Sequence, residues 1–326
     1  MKPLKLCLFT GIVSTSVVAA SGPKWTPGFG ADISFLGGYT KETSQFNTDN
    51  KVTDSLDNNG QSQSEAIFAP LGTISYTTVQ ADKQVYFGTS RSDVALGRFH
   101  VELGYRQQLP ENGMVSISYV PGIVDTSTWE DPFVTGEPRK KTDSKIKGVR
   151  LQYDRVLGSN FSIEVAGGKQ EIENEKSGQH SFTSQEQSLL EREGNILFSQ
   201  LSYFQSLNQR LLLRGAVSYS RIDTDGNALA NDIYGAEIGV IQFLPSSSLA
   251  LTFSYDYADF DKANPVFDKK QQDDRWGVFL AYEYQEPFGW ENWGLVSLAG
   301  YNQSNSNINF YDEDSLLISA GINYRF

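Results

Sequence analysis

The sequence has one cysteine in 326 residues, and it lies near the start, at Cys7. No disulfide framework can be built from it, so the chain must hold together by other means. Beyond the first twenty residues no stretch approaches eighteen continuous apolar residues, which excludes a transmembrane helix. Basic residues are also short: 27 Lys and Arg face 39 Asp and Glu, a net charge of −12. Such an acidic chain is a poor partner for nucleic acid. No Pro-rich or Ser/Gly-rich linker divides the sequence, so a single domain is the simplest reading.

The first twenty residues form a separate unit. Lys2 and Lys5 precede a mostly apolar run from Leu6 to Val18, and Val18-Ala19-Ala20 supplies small residues at a cleavage site. This is the layout of a secretory signal peptide over residues 1–20. The exported domain is then 21–326. It carries no cysteine, and without Lys2 and Lys5 its charge is −14.

What the chain has in quantity is aromatic residues, glycine and alternation. There are 16 Tyr, 20 Phe and 29 Gly, a mixture that suits strands joined by tight turns. Phe29, Ile33, Phe35 and Tyr39 alternate with Gly30, Asp32, Ser34 and Leu36. Leu249, Leu251, Phe253 and Tyr255 alternate with Ala250, Thr252, Ser254 and Asp256. A period of two marks a strand with one oily and one wet face. The final stretch, LLISAGINYRF, keeps the pattern to the last residue.

Fourteen such strands are predicted: 28–40, 66–78, 85–91, 95–107, 114–121, 145–155, 161–172, 194–205, 210–222, 232–243, 248–259, 274–285, 293–303 and 313–326. Links between them alternate short and long. Many strands approach the ~9–11 residues that carry a tilted strand across the hydrocarbon. The predicted fold class is all-β: a transmembrane antiparallel up-and-down barrel of about fourteen strands, with twelve or sixteen as the neighbouring counts. Tyr105, Tyr119, Tyr153, Tyr203, Tyr219, Tyr255, Tyr284 and Tyr324 recur at the ends of the outward faces, as an interfacial girdle would. A soluble β-sandwich would alternate too, but its dry core would reject the ionisable groups on the opposite faces.

By parity the inner face carries Asp32, Arg98, His100, Glu102, Arg106, Arg150, Asp154, Glu164, Arg214, Glu237, Asp256, Arg275 and Glu283. These are the candidate pore-lining residues. Two readings fit them: a polar channel with charged rings, or a bore filled by Arg–carboxylate pairs that brace the wall. His100 with Ser116 or Ser118, oriented by Glu102, would supply the parts of an acyl hydrolase. Parity points those groups inward, away from lipid, so no catalytic residue is assigned. The run DTDGNALAND lacks the spacing of a calcium loop and reads as a hairpin turn. No metal or cofactor is expected. Trp129, Phe133, Phe182 and Phe267 lie in loops, where they either grip a ligand or pack loop on loop.

Two resemblances follow. Ser319, Gly321, Tyr324 and Phe326 resemble the C-terminal signal read by the outer-membrane assembly machinery, which implies the outer membrane of a Gram-negative cell. The stretches PLGTISYT, QVYFGTSRSDVALG, WEDPFVTGEPRKKTD, ANPVFDK, GVFLAYEY and GWENWGLVSLAGYNQSNSNINFYDE resemble a family of Gram-negative outer-membrane proteins that carry a domain of unknown function. The resemblance implies location and barrel architecture and no catalytic residue. The expected partners are outer-membrane lipid, lipopolysaccharide, the assembly machinery and small polar solutes. The function expected from these features is a porin-like passive channel. Its rivals are a closed barrel with a structural or adhesive role and, further off, an outer-membrane lipid hydrolase.

Overall fold

The computed structural model describes residues 25–122 and 126–326. The signal peptide expected over 1–20 lies outside the described residues. The alternating segments form strands β1 (Gly28–Thr43), β2 (Ser62–Thr77), β3 (Lys83–Gly88), β4 (Glu102–Gln108), β5 (Met114–Val120), β6 (Thr126–Trp129), β7 (Lys141–Asp154), β8 (Phe161–Ile172), β9 (Gly194–Asn208), β10 (Leu211–Thr224), β11 (Asn231–Phe243), β12 (Ser247–Asn264), β13 (Lys269–Gln285), β14 (Trp293–Ser306) and β15 (Glu313–Arg325). Every pairing is antiparallel, and each strand follows its neighbour in sequence except where β5 pairs directly with β7. β15 pairs with β1, and this closes a ring of fourteen strands. β6 is a short extra strand on the outer end of β7. Closure gives every strand of the ring a neighbour on both sides, the condition for a sheet to lie in lipid.

The last residues complete the ring. Ala31 donates to the Phe326 carbonyl at 3.0 Å, and Phe326 donates back at 3.1 Å. Gly321 stands where a Cβ would meet the Phe35 carbonyl at 1.9 Å, so β1 and β15 approach closely only because that side chain is missing.

The outer surface is an apolar belt. Phe35, Phe68, Ile74, Leu103, Ile117, Leu151, Ile163, Leu201, Val217, Ile238, Phe253 and Ile318 are all exposed. A water-soluble protein would rarely leave so much contiguous apolar surface uncovered. Tyrosines rim the belt, with hydroxyls turned to polar neighbours: Tyr39 to Ser64 at 2.7 Å, Tyr219 to Asp232 at 2.7 Å, Tyr203 to Gln205 at 2.9 Å. These amphipathic rings mark the two membrane interfaces. The molecule is a transmembrane barrel of the outer-membrane type.

The predicted strands recur with shifted ends. β2 and β13 begin earlier than expected, and β12 runs further outward. One segment departs outright. Residues 95–107 alternate and read as one strand, but only 102–108 pair with β3 and β5. Residues 91–95 form a single helical turn, α1 (Arg91–Ala95), and 96–101 run through the interior. The cause is Gly97. Its φ is +78°, and its amide closes the helix on the Val94 carbonyl, which turns the chain inward.

Candidate functional site: a crossbar and a dome in the bore

Fourteen strands enclose more space than their inward side chains can fill. Two structures occupy it. The first is the segment 89–101 between β3 and β4, here called the crossbar. The second is a dome of outer loops.

Apolar contacts and ion pairs both seat the crossbar. Val94 and Phe99 pack on Leu36, Phe279 and Leu298 of the inner wall, with the Phe99 and Phe279 rings edge to face at 6.1 Å. A Cβ on Gly97 would lie 2.7 Å from the Phe279 ring. Sequence parity places Phe99 on the lipid face; inside, it meets aliphatic neighbours instead. Arg91 pairs with Glu283 of β13, which also receives Arg325 at 2.5 Å. Arg98 pairs with Glu237 of β11, where Arg214 also binds at 2.5 Å. β11 lies six strands from β4 one way round the ring and eight the other, so the crossbar reaches the far wall.

A buried charge cluster anchors its other side. Asp93 on α1 accepts from Arg150 Nη1 at 3.2 Å, Glu102 accepts from the same nitrogen at 3.2 Å, and Glu164 accepts from Arg150 Nε at 2.9 Å. Tyr86 and Ser118 donate to Glu102 at 3.1 and 2.5 Å. Such a group is tolerated inside only because the charges are paired and the oxygens saturated.

Asp93, His100 and Glu102 offer atoms within 4.8 Å of one another, the spacing of a metal site. The Arg150 guanidinium already stands among them, so the cluster carries its own cation. Nor do the parts of a hydrolase align. Ser118 donates to Glu102, and His100 Nε2 lies 3.3 Å from Arg150. Among the described residues no hydrogen bond joins His100 to Ser116 or Ser118.

Asp32 receives Arg325 at 2.9 Å and Asn323 at 2.5 Å. Arg106 donates to Gln84 and lies over the Tyr86 ring at 5.1 Å. Asp154 is buried at the inner end of β7. Arg275 pairs with Asp273 at 2.6 Å, and Asp256 lines the cavity described below. Arg98 and His100 differ in kind, because they sit on the crossbar and not on the wall. Gly97 is the strand-breaking residue in that stretch.

The dome closes the outer end. Phe133, Leu190, Ile308 and Phe310 form its core, with Phe46, Leu56, Phe267 and Tyr311 packed around them. Phe310 meets Phe133 and Phe267 at 5.4 Å each. Trp129 is fully buried and donates to the Gln45 carbonyl at 2.9 Å. Arg139 lies over its ring at 4.5 Å and reaches the Asn50 carbonyl at 2.5 Å. Burial pushes the Arg139 guanidinium down to about 10, which leaves it charged at neutral pH. Trp129, Phe133 and Phe267 therefore pack loop on loop. The long loop after β5 builds the dome, while the crossbar comes from a stretch read as strand.

Between dome and crossbar lies a cavity of about 480 Å³. Arg98, Glu237, Asp256 and Arg275 give it charge, and Phe46 and Phe279 give it apolar wall.

The sequence matches the DUF2860 family, described as a protein of unknown function, over residues 28–325. The chain belongs to the DUF2860 family. No curated protein matches it in sequence. Among solved structures, this DUF2860 barrel is similar to a loop L8 deletion mutant of OmpT, an outer-membrane protein of Vibrio cholerae. That pair has 9% identity and a TM-score of 0.44, covering 91% of this chain and 99% of that one. The outer-membrane channel DcaP of Acinetobacter baumannii has 11% identity and a TM-score of 0.44, covering 94% and 100%. A mutant of the monoaromatic hydrocarbon channel TodX has 11% identity and a TM-score of 0.47, covering 92% and 90%. At such values the likeness carries nothing about solute or mechanism.

Proposed function

We propose that this outer-membrane barrel is a gated channel for small polar solutes, held shut at rest by its crossbar. The observation that carries the reading is the Arg98–Glu237 pair, which joins an inserted segment to the far wall. A barrel that served only as a wall would have no need of an insert that crosses its bore to the far side. An open porin would not have the bore crossed. The inward charges of the wall, Arg98 and His100 apart, are then the lining that a solute meets once the crossbar shifts, and charged rings of this kind set solute preference. Ser319, Gly321, Tyr324 and Phe326 serve assembly, and the protein performs no chemistry on its solute.

The rival reading, a closed barrel with a structural or surface role, is favoured by the dome. Proteoliposome swelling separates the two. Wild-type protein should admit small sugars slowly, and removal of residues 91–99 should accelerate entry. A folded deletion variant that admits nothing would leave the closed-barrel reading standing.

A further inference from the structure

The cavity between dome and crossbar has more carboxylates than cations to match them. Six carboxylates line it against three arginines, Arg98, Arg192 and Arg275. Each arginine already has a carboxylate: Arg98 has Glu237, Arg192 has Glu175 and Arg275 has Asp273. Asp256 stands opposite Arg275 on the β12–β13 ladder. Glu313 stands opposite Ser304, the residue that faces Arg275 from β14. Among the described residues neither Asp256 nor Glu313 forms an ion pair, although Ser44 donates to Glu313 at 2.6 Å. Surplus carboxylates alone are usually just solvated.

Two buried amides point to a ligand. Asn231 is 4% exposed and Gln271 3% exposed, and both line the cavity. Asn231 Nδ2 donates to the Leu229 carbonyl at 2.8 Å. Gln271 Nε2 donates to the two oxygens of Asp273 at 3.0 and 3.1 Å. Those partners can only accept, so they fix which end of each amide is the nitrogen. The other ends, Asn231 Oδ1 and Gln271 Oε1, have no donor. A buried carbonyl oxygen left without a hydrogen bond is costly and calls for a partner. The Thr48 and Ser144 hydroxyls and Arg98 Nη1 also line the cavity unpartnered. A hydroxyl gives or takes a hydrogen bond and so discriminates nothing, and the Arg98 charge is met by Glu237.

The two orphaned oxygens belong to residues that flank an aromatic ring. Phe260 faces Asn231 across the β11–β12 ladder, and Asp259 faces Gln272 across β12–β13, so Phe260 lies between Asn231 and Gln271. It is buried and lines the cavity. Carbonyl oxygens beside an aromatic ring suit an ammonium group, which offers N–H donors to the oxygens and charge to the ring. A hard divalent ion wants about six oxygen ligands and gains nothing from the ring. Asp256 lies further down β12 from Phe260, on the order of 13 Å away along an extended strand. We propose that the cavity is a binding site for aliphatic diamines. Asn231 Oδ1 and Gln271 Oε1 hold one ammonium beside Phe260, and Asp256 and Glu313 neutralise the other. That diamines are the solutes of the channel rests on the reading above; the binding itself does not.

Equilibrium dialysis tests the site. The protein is refolded in non-ionic detergent with each probe present, so entry past the dome is not required. Octamethylenediamine, octanediol and suberate share one carbon chain and differ in their ends: ammonium, hydroxyl or carboxylate. One diamine should bind per barrel, several-fold more tightly than the diol or suberate. Asp256→Asn should weaken diamine binding several-fold. Asp261→Asn, which removes an outer-rim acid that pairs with Arg221 outside the cavity, should leave it unchanged. Asn231→Leu serves if Asp256→Asn fails to fold. An absence of bound diamine, or a preference for the diol or suberate, would overturn the proposal. So would unchanged binding in Asp256→Asn, or an equal loss in Asp261→Asn, which would mean diffuse attraction to an acidic chain. Displacement of the diamine by an equal concentration of calcium would make this a metal site and overturn it too. Swelling with neutral sugars reads the channel separately. Flux without bound diamine removes the site alone, and bound diamine without flux removes the channel alone.

Discussion

Arg150 shows how a single side chain decides whether charge can be kept inside this barrel. It stands among three carboxylates, Asp93, Glu102 and Glu164, and is itself buried. Its replacement in Arg150→Met would leave those carboxylates without their cation, and breaking a buried pair in this way costs about 3–5 kcal/mol. Guanidinium unfolding in detergent should show a loss of that size, with Glu164→Gln smaller because Arg150 keeps two partners. Gly97 is decided by backbone and space together. Gly97→Ala meets both a positive φ and the Phe279 ring, and should cost about 1–3 kcal/mol by the same measurement. Trp129→Ala empties a fully enclosed site in the dome, where a large cavity costs about 3–5 kcal/mol. Its readout is protease cutting of the outer loops, since the ring of strands below does not depend on Trp129.

Among the elements, the strands were legible and the crossbar was not. Ile33, Phe35 and Tyr39, or Phe253 and Tyr255, announce their face because lipid outside and polar side chains inside impose a strict period of two. The same rule misreads Phe99. A residue inside a wide bore can be apolar if another apolar group fills the space beside it, and Phe279 does so. Parity records which way a strand residue points, but not whether the residue is in a strand. Likewise Arg98, Glu102 and Glu237 were selectable as inward charges, while the pairing of Arg98 with Glu237 joins elements 139 residues apart and has no local signal. The crossbar's hold on the wall can be probed at its two ends. Glu237→Gln and Glu283→Gln should each raise hydrogen exchange in residues 91–99 more than in β10 or β14, although Glu237 also holds Arg214 of β10. Uniform change across the barrel would indicate a general loss of stability instead.

For the whole molecule, the chain is a ring that closes on its final residues, with a bore divided by dome and crossbar. Removal of Phe326 costs two backbone bonds to Ala31 and one aromatic group. The ring has thirteen other seams, so refolding in detergent should survive the deletion. Insertion in cells should fall sharply if Phe326 belongs to the assembly signal, and heat-shifted gel mobility of membrane fractions measures it. Whether the crossbar holds the bore shut is read by single-channel conductance in a planar bilayer. Wild-type protein should show small, infrequent steps. Arg98→Ala combined with Glu283→Gln should give larger and longer ones, because both cross-bore ties are gone. Large ohmic steps from the wild type, unchanged in the double variant, would contradict the account, since the crossbar would then hold nothing shut.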